Sequence, residues 1–255
     1  MSNNIKKLKS SLFTLAMLGI YNVGYANKLP PNFVYLSDID PTIQQDIRYA
    51  DQHNFIGRPV KGYGAPACIL TKPAAQALQQ VQTVLRAKGL GLKVYDCYRP
   101  QMAVNDFIQW SQQPKLQQTK AEFYPRVNKA DLFKLGYVAQ KSGHSRGSTM
   151  DLTIIPLHGE PQAAYHPGQK LVACYAPLSQ RFRDNSIDMG TGYDCLDKTA
   201  AFSDTSINKT AQQNRSLLQQ IMTKYGFVPY EKEWWHFTLR NEPYQNTYFN
   251  FLIAN

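Results

Sequence analysis

The chain has 255 residues, a formal charge of +10, and 43% hydrophobic, 12% aromatic and 18% charged residues. That apolar content excludes a disordered chain and suffices for one sizeable core. The Lys and Arg residues are scattered and no zinc-finger or RNA-binding signature occurs, which argues against nucleic acid as a partner.

Residues 1–26 differ from the rest. Lys6, Lys7 and Lys9 precede a short apolar run at 11–20, and Gly24-Tyr25-Ala26 ends in a small residue. This is the layout of a secretory signal peptide cleaved after Ala26. The apolar run is shorter than the ~20 residues a membrane span needs. Cleavage would remove three lysines and no acid, taking the charge from +10 to +7. The expectation is a secreted or periplasmic protein with one domain over 27–255 and no membrane span after cleavage.

Along that domain, Thr71 is placed to cap a helix reaching Lys88, with Pro73 in its first turn. Leu78, Val81 and Leu85 share one face, and Gly89 stops the helix. Residues 90–97 read as a strand. Residues 101–112 read as a second helix, with Val104, Phe107, Ile108 and Ser111 on one side. A short strand over 150–155 ends at Pro156. The stretch 159–204, rich in Gly, Pro, Asp and Ser, reads as a loop, and a loop that long inside a domain usually has a function. Residues 210–225 form a third predicted helix, with Leu218, Ile221, Met222 and Tyr225 on one face and Gly226 behind it. A last strand is expected over 234–239. Helices and strands mix without regular βαβ alternation, which predicts an α+β fold: a single domain with a mainly antiparallel central sheet flanked by helices.

Four cysteines, Cys68, Cys97, Cys174 and Cys195, show no Cys-x-x-Cys spacing. In an exported chain an even count suggests disulfides. Of the three possible pairings, Cys68–Cys97 with Cys174–Cys195 is favoured, because each closes a short segment.

Two motifs carry chemistry. In Ser142-Gly143-His144-Ser145-Arg146-Gly147-Ser148-Thr149-Met150-Asp151, the glycine at 147 lets His144 and Asp151 converge from a loop and a strand start. In Glu233-Trp234-Trp235-His236, Glu233 and His236 are three apart on a predicted strand and would face opposite ways. Their pairing therefore demands a turn or bulge at the start of the strand. Two imidazoles and one carboxylate make three zinc ligands with a fourth position open for water, the pattern of a catalytic site. Zinc-bound water is acidified toward ~7, and Glu233 is the candidate base. Arg99, at the end of the 90–97 strand, is the candidate cation for a developing oxyanion. The remaining histidines, His53, His158 and His166, have no partner spacing and are assigned surface or loop roles.

These segments, together with Tyr95-Asp96-Cys97-Tyr98-Arg99-Pro100, Asn54-Phe55-Ile56-Gly57 and Asp188-Met189-Gly190-Thr191, resemble the D-alanyl-D-alanine dipeptidases. Those enzymes belong to the zinc D,D-peptidase and hedgehog-type fold group. The resemblance runs from about residue 33 to about residue 239. It implies one zinc per chain on His144, Asp151 and His236, Glu233 as base and Arg99 stabilising the transition state. It also implies that Asp188 receives the substrate's ammonium group and that Ser142 helps bind substrate. The implied partner is a small D,D-dipeptide or a peptidoglycan fragment. Export fits scavenging of cell-wall fragments better than clearing dipeptide from the cytosol. Two rivals stand beside this reading: a D,D-carboxypeptidase acting on peptidoglycan stems, and a non-catalytic zinc-binding module of the hedgehog kind. The presence of Glu233 counts against the second.

Overall fold

A computed structural model describes residues 29–254, so the expected signal peptide lies outside the described residues. In chain order the elements are β1 (Phe33–Tyr35), α1 (Leu36–Ile39), β2 (Gln44–Gln45), β3 (Ile69–Thr71), α2 (Lys72–Arg86) and β4 (Leu90–Asp96). They continue with α3 (Gln101–Ser111), α4 (Lys120–Phe123), β5 (Thr149–Pro156), α5 (Lys209–Lys224), β6 (Phe227–Tyr230) and β7 (Glu233–Leu239).

The central sheet has the order β2-β4-β5-β7-β6, and a separate pair joins β1 to β3. Three of the four pairings in the central sheet are antiparallel, while β2 runs parallel to β4. The sheet is therefore mixed rather than simply antiparallel. The parallel edge arises because the chain leaves β2, runs through residues 46–68 and the helix α2, and only then returns as β4. Such a crossover brings a strand back in the same direction.

Helix α2 presents Ala74, Ala75, Leu78, Val81 and Leu85 to the core. Thr71 does occupy its N-cap, but its hydroxyl bonds Ser148 Oγ at 2.6 Å instead of capping. Helix α3 departs from expectation in its buried face, which holds Ala103, Val104, Phe107 and Trp110 rather than Ile108 and Ser111. Asp106 is buried there as well, because Arg58 grips both of its oxygens at 2.8 and 2.9 Å. Asn208 caps α5 by accepting from Ala211 N–H.

Between β5 and α5 the chain runs through residues 157–208 with one short 3-10 turn, Lys198–Ala200. The core holds this stretch by polar anchors. Arg215 on α5 is buried and donates to the carbonyls of Met189, Thr199 and Ala201 at 2.6–2.8 Å. Lys93 on β4 donates to Gln162 Oε1 at 2.9 Å and Asn185 Oδ1 at 2.8 Å. Both expected disulfides are present, Cys68–Cys97 and Cys174–Cys195, with Cα separations of 5.2 and 5.4 Å. No helix among the described residues is long and apolar enough to cross a membrane.

Candidate active site

The site forms where β4, β5 and β7 lie side by side. Asp96 pairs in register with Asp151, and Asp151 with His236, so three chemistry-bearing residues form a row across the sheet. His144 joins them from the turn just before β5. Ser142 caps that turn by accepting from His144 N–H, and Gly147 closes it in the left-handed region at φ +84°. An added Cβ at Gly147 would stand 2.2 Å from Phe33 Cε1, so only glycine fits.

His144 Nδ1 donates to the Cys97 carbonyl at 2.8 Å, which leaves the Nε2 lone pair facing inward. His144 Nε2 lies 3.3 Å from Asp151 Oδ1 and 3.3 Å from His236 Nδ1, and the latter lies 3.1 Å from Asp151 Oδ1. Atoms bound tetrahedrally to one ion at about 2.0–2.1 Å stand about 3.3–3.4 Å apart, close to the spacing found. Among the described residues, the buried Asp151 Oδ1 accepts no hydrogen bond. An orphaned carboxylate oxygen facing two imidazole nitrogens fits a divalent cation. Burial pushes the Asp151 carboxyl up, but the facing His144 and His236 outweigh it and hold the group below the usual carboxylate range. Burial likewise pushes His236 down, against the pull of Asp151.

Glu233 sits at the first position of β7 with Oε2 3.6 Å from His236 Nδ1. The irregularity that this pairing demands is present. Pro229 pairs with Phe237 and the next residue, Tyr230, pairs with Glu233, so residues 234–236 are extra on β7. A second irregularity falls at Tyr95 on β4, beside the same row. Such bulges re-aim side chains next to active sites. Burial drives the Glu233 carboxyl well above its ordinary value, and the negative charges of Asp151 and Asp194 add to it.

Arg99 lies beside the row formed by Asp96, Asp151 and His236. Its guanidinium grips Asp96 Oδ2 through Nε at 2.9 Å and Nη2 at 2.7 Å, and Nη2 comes within 3.7 Å of Asp151 Oδ2. Asp96 in turn accepts from Tyr63 OH at 2.6 Å. A cleft of about 250 Å³ opens over these groups and is lined by Ser142, His144, Arg99, Glu233 and His236 among others.

The residues singled out in sequence converge here with one exception. Asp188 is not in the cleft. Its carboxylate is taken up by Arg181 at 2.7 Å, Asn208 at 2.8 Å and Gly190 N–H at 2.9 Å, and it borders a separate depression near the start of α5. The acid that does line the cleft from that loop is Asp194, six residues on, which accepts from Tyr49 OH at 2.9 Å. Burial pushes Asp194 up to about 8, with Asp151 adding repulsion. Its neighbour Tyr193 donates to Asp151 Oδ2 at 3.1 Å. Sequence reasoning missed Tyr193, Asp194 and the anchoring role of Asp96. Among the unassigned histidines, His53 is buried rather than superficial, bonded to Glu122 at 2.8 Å and Arg48 at 3.0 Å, because a carboxylate and a guanidinium satisfy both ring nitrogens.

An α+β domain with two imidazoles and a carboxylate converging on one point, beside a buried glutamic acid in a cleft, defines a hydrolase of the metallopeptidase class. The chain belongs to the D-Ala-D-Ala dipeptidase family, whose profile matches residues 30–163 and 176–254. It is 38% identical over 223 residues to a D-alanyl-D-alanine dipeptidase of Streptomyces coelicolor, covering 88% of this chain and 98% of that one. A protein of the same name from Enterococcus faecalis is 37% identical over 87% of this chain and 98% of its own. One from Escherichia coli is 31% identical over 81% and 83% respectively.

Proposed function

We propose that this protein is a zinc-dependent dipeptidase that hydrolyses D-alanyl-D-alanine to two D-alanines outside the inner membrane. The observation that carries the reading is the convergence of His144 Nε2, Asp151 Oδ1 and His236 Nδ1 at 3.1–3.3 Å, with Glu233 Oε2 at 3.6 Å from the last. These three atoms would hold the ion. Zinc supplies a Lewis acid and lowers the pKa of bound water when present.

The chain's own groups then divide the work. Glu233 takes a proton from the attacking water, and its burial stabilises the neutral acid until the proton passes to the leaving nitrogen. Arg99, held in place by Asp96, offers its guanidinium to the oxygen on which charge develops. Asp194 replaces Asp188 as the acceptor of the substrate's ammonium group, since it lines the cleft. Ser142, already accepting from His144 N–H, has a hydroxyl proton to donate to the substrate. A small cleft with an acid in it favours a free dipeptide over an acylated stem peptide. Two disulfides support export, because such bonds persist in oxidising compartments. The proposed signal peptide at 1–26 agrees with that placement, and fractionation that finds the protein only in the cytosol would refute it.

The test is hydrolysis by purified, metal-quantified protein of D-Ala-D-Ala against its N-acetyl form. The expected result is one zinc per chain and a preference for the free dipeptide of about a hundredfold or more, since acetylation removes the charge that Asp194 would pair with and puts bulk beside it. Equal or faster cleavage of the acetylated form would point to a carboxypeptidase. Full activity in chelator would end the metal mechanism.

A further inference from the structure

Asp194 is an awkward residue to hold in the cleft. Its backbone lies in the left-handed region at φ +55°, which a non-glycine residue adopts at a cost. Its carboxylate is buried, and the neighbouring Asp151 repels it. A free loop would relax by turning this side chain toward water.

The chain around it is clamped on both sides by one residue. Gly192 N–H donates to the Cys174 carbonyl at 2.8 Å, two positions before Asp194, and Cys195 is joined to Cys174 by the disulfide, one position after it. Cys174 is itself fixed, since its N–H donates to the Glu122 carbonyl at 2.9 Å. Leu196 N–H donates to the adjacent Phe123 carbonyl at 2.8 Å, so both ends of the clamp rest on the end of α4. Cys174 belongs to residues 164–175, the stretch that the family match passes over. That stretch docks by a second contact, the Tyr165 ring stacked on His53 at 4.2 Å and 9°. His53 holds Glu122 through its other face of bonding at 2.8 Å.

We propose that the Cys174–Cys195 bridge and the segment 164–175 form a positioning element for Asp194, an addition of this chain to the family scaffold that sets affinity for the substrate's free amine. The proposal rests on the dipeptidase reading above. It assigns the bridge no step in the chemistry.

The experiment measures binding of two probes to zinc-loaded protein: the phosphinate analogue of D-Ala-D-Ala and its counterpart lacking the amino group. Removing the bridge by Cys174→Ala with Cys195→Val is expected to weaken the amine-bearing probe about tenfold or more and the other less than about threefold. Zinc content should not change. Asp194→Asn in the bridged protein should give the same selective loss, and adding it to the bridge-free variant should give little more, as expected when two changes remove one interaction. Should that variant fail to fold, phosphine reduction of the native protein, with alkylation mapped to Cys174 and Cys195, provides the same comparison. Equal weakening of both probes, or no weakening of either, overturns the proposal. If the unaltered protein binds both probes alike, the ammonium role of Asp194 and the dipeptidase reading fail first, which separates the two outcomes.

Discussion

A carboxylic acid that shuttles a proton near neutral pH must prefer its neutral form more than a free glutamate does. Glu233 meets that demand through burial and through repulsion from Asp151 and Asp194. Replacing it with glutamine keeps the shape and removes the proposed base. Glu233→Gln should lower kcat by about 10²–10⁴-fold with zinc content unchanged; turnover near that of the parent would remove Glu233 from the mechanism. Tyr193 acts through another residue. Its hydroxyl donates to Asp151 Oδ2, leaving Oδ1 to face the two imidazoles. Tyr193→Phe should weaken zinc affinity about tenfold, at the lower end for outer partners of metal ligands, because Arg99 still faces the same oxygen. Competition with a chelator measures it, and equal affinity in both proteins would make the contact incidental. At this scale ligand types and spacing offered His144, Asp151, His236 and Glu233 as candidates, the family resemblance joined them into one set, and the fold brings them together. Asp188 and Asp194 were not separable, since both are acids in an aperiodic loop and only the loop's path decides which one reaches the cleft.

At the level of elements, two irregularities in the sheet aim the site. The extra residues 234–236 on β7 let Glu233 and His236 approach, which a regular strand forbids. That irregularity could be demanded from sequence, because the chemistry required two residues three apart on a strand to meet. The irregularity at Tyr95 had no such sequence signal. The helices α2, α3 and α5 and the strands β4, β5 and β7 were legible from their periodicity and their glycine and proline limits. By contrast β1, β2, β3 and β6 are two to four residues long and exist through their partners, too short for a period to show. The turn carrying His144 depends on Gly147. Its left-handed φ and the Phe33 ring beside it leave no room for a Cβ. Gly147→Ala should cost about 2–4 kcal/mol in chemical denaturation, combining backbone strain with overpacking. A loss below about 0.5 kcal/mol would show that the turn tolerates a side chain.

Across the whole molecule, the long segment between β5 and α5 takes part in the site rather than merely linking elements. It returns Tyr193 and Asp194 to the sheet and is held there by Arg215, Lys93 and a disulfide. The resulting cleft gathers Asp151, Asp194 and Glu233 in one buried region, and this crowding couples folding to pH. In the metal-free protein Asp194 is raised to about 8 and Glu233 well above its ordinary value. Both would ionise near 4 in the unfolded chain. The folded state therefore binds more protons than the unfolded one between those limits, so these groups stabilise the fold at low pH and lose that contribution as pH rises through the folded values. The window from pH 6.5 to 8 emphasises them, with Asp96, also raised by burial, acting in the same direction. His236 and His53, shifted down, act mainly below it, and Lys93 and Lys129, each shifted down to about 8, act mainly above it with the opposite sign. Unfolding free energy of the metal-free protein should fall across that window by up to about 1.4 kcal/mol per pH unit for each proton held. Asp194→Asn should remove about one proton's share of the slope. Zinc should flatten or reverse the decline, because a cation offsets the repulsion and binds better as the imidazoles lose their protons. A metal-free protein equally stable at pH 6.5 and 8 would mean that water or a shifted loop relieves the three acids, and that the cleft is looser than the packing around Asp194 describes.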